Sequence, residues 1–546
     1  MTPRRQVLLL ALAGPAAAAA GMAFHALFGE RIVLAMYEQR MPVGLVNEII
    51  TGQSIHPVTY HLRRADALVM RVALLLLAGG PAAGAWMWLA PRLRPPWNRP
   101  LAGGLLLSTA FVCGIYLLEA PVFEALPGWF WPLHTTALPW VWLWAPLAAG
   151  TAAVTAVVLR APGRRWRNVV LIVVWGACLH HGLALTEGRG LDVLRSRFTD
   201  SGHGVFARAA VEQPSLWRVL TRYDELLEDG KLSPFFHATK PPGLQVFLGV
   251  VERLGRAVPG LPDDPLQRLA TFAALVLPLL AYAAVIPLYA LARRFTGDRG
   301  ALTASLLYVT APSVTLIGMH SDHYLHPLLG TAFLYLAVRA LQGGGRGSAF
   351  LTGIAFYLVT WVSFAQVPLA VVPPALAWAM RRADPGLRTP VPAAAWAVAG
   401  FAAAWAGMVA LCGYDAWSRF AQAMAVHEIA KAVDWSPGNR LYYGALNLLE
   451  FALWSGPALV LLCVAEWRRE IGVSGAGLLW MLAGMAIFGA TAGESARLWI
   501  YALPLAALSA ALYLGRRPEE SGGLLGLALA MQGILVLVLK RYQDFH

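Results

Sequence analysis

The chain has 546 residues, of which 58% are hydrophobic and only 13% charged. Soluble domains carry roughly 25% charged residues, so these charges cannot coat several water-soluble cores. The composition excludes a secreted disulfide scaffold, a disordered tail and an ordinary cytosolic enzyme, and predicts an all-α, polytopic integral membrane protein. The net charge of +13 falls in short clusters between apolar runs, which fits membrane topology rather than a nucleic-acid partner.

A spanning helix needs about 20 mainly apolar residues. The first such run, Val7 to Phe28, is longer than the apolar part of a cleaved signal, so a retained anchor is expected. Further runs follow near 67–89, 102–120, 139–159 and 169–186. After a long polar interval they resume near 272–292, 300–317, 324–341, 348–364 and 367–380. The last lie near 391–411, 444–464, 474–490, 498–514 and 523–539. The expectation is about fifteen transmembrane helices, with juxtamembrane helices on the outer face.

Arginines orient these runs. Arg4 and Arg5, the 90–100 loop, the 160–168 loop, and the pairs Arg293/Arg294, Arg381/Arg382, Arg468/Arg469 and Arg516/Arg517 all fall on one side if the runs alternate. The opposing 121–138 loop has neither Lys nor Arg. This positive-inside pattern predicts a cytoplasmic N-terminus in a multi-pass cell-membrane protein. It puts segments 187–270, 318–323, 412–443 and 491–497 outside. Lysine occurs only at 231, 240, 431 and 540, against 39 arginines. The four cysteines show no paired spacing, so neither a disulfide framework nor a zinc site is read from them. No phosphate-binding loop and no dinucleotide fingerprint occurs, and no nucleotide or other cofactor is expected.

Long inter-span segments with their own order are usually functional. In 187–270, Leu216, Leu220, Tyr223 and Leu227 share one helical stripe beside Trp217, which predicts an amphipathic helix resting on lipid headgroups or on the span ends. Segment 415–435 has a similar face of Trp417, Phe420 and Met424. Before the first stripe stands Phe198–Ala210, containing Asp200 and His203. After it stands Phe236-His-Ala-Thr-Lys-Pro-Pro-Gly243. Thr296 to Pro312 then leads to His320-Ser-Asp-His323, and Gly493-Glu-Ser-Ala-Arg-Leu-Trp-Ile-Tyr-Ala-Leu-Pro504 comes late in the chain.

In order, spacing and common sidedness these four segments resemble the GT-C superfamily of membrane glycosyltransferases. The likeness is to the branch of dolichyl-phosphate-mannose–protein mannosyltransferases and aminoarabinose transferases, and covers about 169–515. It implies a catalytic membrane core over 166–515 with the outer loop 187–270, an N-terminal four-span extension over 1–165, and a final span and tail over 516–546. The family's acidic loop residue maps to Asp200, its second outer acid to Asp322, its proline segment to Lys240-Pro241-Pro242, and its late arginine to Arg497. That loop normally follows the first span and here follows the fifth. Glu30 or Glu38 takes the acidic role if the register shifts. The implied activity moves a sugar from a polyprenyl-phosphate donor to a protein, lipid or glycan acceptor.

The residues suit that chemistry. A carboxylate takes the acceptor's proton, and cations stabilise the departing phosphate. Asp200 is the expected base of an inverting displacement, Lys240 and Arg497 the phosphate contacts, and His203, His237 and Glu494 the substrate-binding groups. Each has a plainer reading: Asp200 as a helix N-cap, Lys240 as a membrane-edge marker, and Glu494 with Arg497 as a helical surface pair. His320, Asp322, His323 and His326 have metal-like spacing, but a hydrated turn is preferred and no metal is expected. The rival class is a transporter or flippase of lipid-linked precursors, which would need mid-membrane charges and repeated halves. Arg71 is the main mid-span charge and no repeat is evident. A non-catalytic assembly subunit also fits the outer carboxylates.

Overall fold

The computed structural model describes residues 99–543 apart from 120–121, 124, 132, 214, 317–322, 387–388, 432–435, 489–490, 492 and 517. The expected runs at 7–28 and 67–89, with Glu30, Glu38 and Arg71, lie outside the described residues. In chain order the helices are α1 (Arg99–Leu117), α2 (Trp144–Arg160), α3 (Arg165–Leu185), α4 (Asp192–Thr199), α5 (Gly204–Glu212), α6 (Leu216–Thr221), α7 (Tyr223–Glu228) and α8 (Gly243–Arg256). Next come α9 (Pro265–Ala283), α10 (Val285–Ala292), α11 (Asp298–Val309), α12 (Pro312–Leu316), α13 (Leu325–Leu341), α14 (Gly345–Val362) and α15 (Val372–Ala383). The last are α16 (Val391–Cys412), α17 (Ala416–Lys431), α18 (Pro437–Ser455), α19 (Pro457–Trp467), α20 (Val473–Phe488), α21 (Ser495–Leu498), α22 (Leu503–Gly515) and α23 (Pro518–Tyr542). Among the described residues the only β pairing is an isolated Leu133–Gln543 bridge.

Each apolar run read from 102 onward holds helix among the described residues, but those residues contain six helices long and apolar enough to cross a membrane, or seven if α18 and α19 count as one. Fewer pass than the sequence suggested because several runs are broken, others make helices shorter than 18 residues, and two lie outside the described residues. Gly456, at φ +92°, separates α18 from α19. A 3-10 turn holding Pro368 replaces the first half of the 367–380 run.

The described residues divide into two compact units. The smaller takes 99–137, 456–461 and 517–543; the larger takes 138–455 and 462–516. In the smaller, α1 packs on α23, and the backbone N–H groups of His134 and Thr136 donate to the carbonyls of Tyr542 and Arg541 at 3.1 and 2.8 Å. The sequence reading drew domain boundaries at 165 and 515; α2 and α3, on either side of the first, pack on each other. The Trp175 ring of α3 lies on Gly150 of α2, where a Cβ would sit 2.0 Å from it, and its Nε1 donates to Thr151 at 3.2 Å.

In the larger unit, the segment between α3 and α9 folds as five short helices rather than one amphipathic rod. The expected stripe bends at Arg222 (φ −135°, ψ 36°), between α6 and α7. Ser215 caps α6 by accepting the Arg218 N–H at 3.2 Å. The bend turns Val219, Tyr223 and Leu226 into a core with Ala209 and Leu232, while Leu227 only borders it. In α17 likewise the buried side chains among the described residues are Arg419 and Ala423, and Trp417 is exposed.

Candidate functional site

Three inter-helix segments converge in the larger unit. The first carries Arg497. The helix α18 presents Asn447 and Glu450, both fully buried, one turn apart. The Asn447 amide donates to the Thr491 carbonyl at 2.6 Å and accepts from the Gly493 N–H at 3.1 Å. The Ser495 hydroxyl donates to the Asn447 carbonyl at 2.7 Å. A Glu450 carboxylate oxygen accepts the Ala496 N–H at 2.8 Å, which suits the first turn of a helix, where N–H groups lack acceptors. Gly493 makes the corner at φ +71°, a region a side chain would strain.

Held this way, the Arg497 guanidinium meets Glu494 Oε2 at 2.8 Å and His203 Nε2 at 3.0 Å. The Arg497 and Glu494 side chains are only 10% and 12% exposed, so this is no surface pair. A guanidinium only donates, so in this geometry Nε2 accepts and the neutral ring keeps its proton on Nδ1.

The second segment is the corner between α4 and α5. Ser201 Oγ donates to the Arg197 carbonyl at 2.6 Å, and the Gly204 N–H returns to Ser201 at 2.8 Å. A Cβ on Gly204 would lie 2.8 Å from the Phe198 carbonyl, so the tight corner needs glycine there. The His203 ring lies 6.2 Å from Phe206 and 5.5 Å, edge-on, from Phe236. Phe206 is the buried centre of this cluster. It packs on His237 at 4.6 Å, and Lys240 Nζ stands 5.0 Å over its ring, a cation–π geometry.

The third segment is the turn that carries Lys240. Ser233 Oγ accepts the Phe236 N–H at 3.2 Å, and the Lys240 N–H donates to the His237 carbonyl at 2.9 Å. The His237 ring is 1% exposed. Its Nδ1 accepts the Ser233 N–H at 3.1 Å, and its Nε2 lies 3.2 Å from the Gln245 amide. Burial lowers its pKa to about 4; Lys240 reinforces this and the Gln245 contact opposes it. Pro241 and Pro242 then lead into α8, whose Gly243 lies against the Trp361 carbonyl of α14, where a Cβ would come within 2.3 Å. The first-turn N–H groups of α8 thus start immediately after Lys240.

The structure therefore joins Glu494, Arg497, His203, Phe206 and Lys240 in one chain of contacts. His237 lies behind it, with both ring nitrogens engaged inside the protein. Asp200 is exposed, three residues before His203, at the C-terminal end of α4. It is not the N-cap of the next helix, whose cap residue is His203. Asp322 and His320 lie outside the described residues. His323 and His326 are buried with rings 4.6 Å apart, and among the described residues no group of three or more His, Cys, Asp or Glu is placed to hold a metal ion.

Sequence reading missed Asn447, Glu450 and the buried Arg419 of α17. The signal for the first two was present: an amide and an acid three apart inside an apolar run, where such groups are costly without partners. Chemically, the site holds two cations, Lys240 and Arg497, linked through Phe206 and His203, with the Glu494 carboxylate on Arg497 and Asp200 three residues before His203 in the chain. The chain matches no protein-family model, and no curated protein matches it.

Proposed function

We propose that the protein is a membrane glycosyltransferase that moves a sugar from a polyprenyl-phosphate donor to an acceptor on the outer face of a cell membrane. The observation that carries this reading is the contact chain from Lys240 through Phe206 and His203 to Arg497 and Glu494, built from segments that do not span. The common side of these segments is supported by their direct contact with one another.

In the proposed step an acceptor hydroxyl attacks the sugar's anomeric carbon. A bond forms between the acceptor oxygen and that carbon, and the bond from the carbon to the phosphate oxygen breaks. Asp200 takes the hydroxyl proton, with Asp322 as the second acid of the site. The polyprenyl phosphate leaves with one additional negative charge. Lys240 and Arg497 meet that growing charge, and the first-turn N–H groups of α8 add to the anion-favouring field. His203 and Glu494 hold Arg497 and face the substrate. His237, dry and neutral, fixes the Phe206 ring and the Lys240 turn, a supporting role rather than substrate contact. The isoprenoid tail stays in the bilayer, which accounts for a site set at the ends of apolar helices.

The test uses full-length protein in lipid nanodiscs with radiolabelled polyprenyl-phosphate sugars, scoring acceptor labelling and released sugar. Asp200→Asn should slow transfer by about 10²–10⁴-fold, the usual cost of a lost base. Lys240→Ala should lower kcat and lower kcat/KM further, because the contact with the donor phosphate already exists in the ground state and strengthens as the sugar leaves. Lys240→Arg should retain part of the rate. Wild-type protein that transfers nothing but moves labelled lipid between leaflets of a vesicle would replace this reading with a transporter.

A further inference from the structure

Arg419 enters from α17, an element 181 residues beyond the turn it touches. It is 3% exposed. Nη1 donates to Asp224 at 2.7 Å and to Gln422 at 3.1 Å. Nη2 donates to the Ala238 carbonyl. The guanidinium lies 6.0 Å over the Tyr223 ring, and the Tyr223 hydroxyl donates to the His237 carbonyl at 3.2 Å. Burial pushes the Tyr223 phenol well above its ordinary value, so it remains a donor. Two side chains thus hold successive carbonyls, His237 and Ala238, and the Lys240 N–H closes back onto the first of them.

We propose that Arg419 is a positioning residue for Lys240: it docks α17 on the 236–243 turn and fixes where the ammonium meets the donor phosphate. This rests on the reading of Lys240 as the phosphate contact. The geometry demands arginine. One planar fork reaches a carboxylate on α7 and a carbonyl on the turn at once, which a single ammonium on a lysine stem cannot reproduce. Removing it leaves the Ala238 carbonyl without that donor in a buried place. The effect on the site is one of placement, since Lys240 keeps its charge and its ring.

The test compares wild type, Arg419→Gln, Arg419→Lys and Asp224→Asn as full-length protein in nanodiscs. Ligand-free hydrogen exchange of the 237–246 backbone comes first. Arg419→Gln should speed exchange of the Lys240 amide at least tenfold, Arg419→Lys less, and Asp224→Asn little, because its partner keeps the Ala238 contact. Steady-state kinetics follow. Loss of folded protein would lower kcat with the donor KM unchanged, whereas a displaced Lys240 should raise the donor KM at least fivefold with the acceptor KM unchanged. Arg419→Lys should recover part of that rise. Decaprenyl phosphate binding is measured in parallel without turnover. Unchanged exchange in Arg419→Gln overturns the proposal, as does faster exchange with unchanged donor KM and unchanged decaprenyl phosphate affinity. If wild type transfers no sugar, yet Arg419→Gln weakens decaprenyl phosphate binding, the positioning stands and the transfer reading falls. If Arg419→Gln does not fold, Arg419→Lys carries the same readouts, and wild-type values in both sink the idea.

Discussion

The His237 ring, buried under Phe206 with its nitrogens engaged, is accommodated as the neutral form. Its pKa falls from 6.5 to about 4 because burial penalises the imidazolium. Between those values the unfolded chain holds more protons on this residue than the folded one, so stability rises with pH across that window. The contribution is complete above pH 6.5, is lost as the pH falls toward 4, and changes no further below. The whole interval is on the order of 3 kcal/mol. His237→Asn should therefore flatten the fall in melting temperature between pH 6.5 and 4.5 relative to wild type, whatever its absolute stability. Equal slopes in the two proteins would show that another group sets the acid loss. The sequence marked His237 as a site histidine through its place before Lys-Pro-Pro, but its burial depends on Phe206 and Gln245 from the helices on either side. Glu494 and Arg497 were legible because they sit three apart in one motif. Their third partner, His203, lies 294 residues from Arg497, and only the fold joins them.

Helices were more legible than their packing. Apolar runs marked the long apolar helices from 102 onward, since period and length are local properties, but not the short helices between α3 and α9. The 216–228 stripe was misread because both a single helix and a bent pair satisfy the same apolar spacing, and the bend at Arg222 is decided by the core it fills. Helix contacts are decided by small residues. Between α14 and α16, a Cβ on Gly353 would lie 1.8 Å from the Ala397 carbonyl, and one on Gly400 would lie 2.0 Å from the Phe350 carbonyl. These reciprocal glycines let two backbones touch, the device membrane helices use where no hydrophobic force separates helix from lipid. Phe401 packs beside them on Phe356 and Tyr357 at 5.8 and 5.6 Å. Gly353→Ala or Gly400→Ala must push the helices apart, at a cost of about 1–3 kcal/mol each. The double variant should cost less than the sum, because one separation relieves both clashes. Thermal melts in detergent check this; single variants that melt with wild type would mean that the backbones are not in contact. The same α14 carries Trp361, whose carbonyl receives Gly243 at the start of α8, so this packing also bears on where Lys240 sits.

Within the larger unit, charged contacts sort into the two sets that the arginine pattern assigned to opposite sides of the membrane. Asp298 takes Arg165 at 3.0 Å, Arg293 at 2.7 Å and the Tyr289 hydroxyl at 2.8 Å. Arg516 pairs with Glu466 at 2.9 Å and Glu470 at 3.0 Å. These join segments that the sequence placed together on the cytoplasmic side. The Arg419–Asp224 and Arg497–His203 contacts join segments placed together on the other. Arginine bias groups the loops because it acts on each of them separately, but it does not say which loops meet, because that needs the packed helices. Sidedness itself is open to a direct experiment. Asp229 lies in the 187–270 segment and is exposed. Gly163 lies between α2 and α3, where a Cβ would meet nothing within 4 Å. Three of the native cysteines are buried and Cys178 is exposed, so Cys178→Ser supplies a quiet background. In intact cells a membrane-impermeant maleimide should then modify Asp229→Cys and leave Gly163→Cys untouched until the membrane is opened. Charge carries the argument: moving the Arg160, Arg164, Arg165 and Arg167 cluster across the bilayer is opposed far more strongly than moving a loop without this bias. The reverse labelling would invert the whole orientation and move the Lys240–Arg497 site to the cytoplasmic face. Modification of both positions in intact cells would break the assignment of these loops to opposite sides.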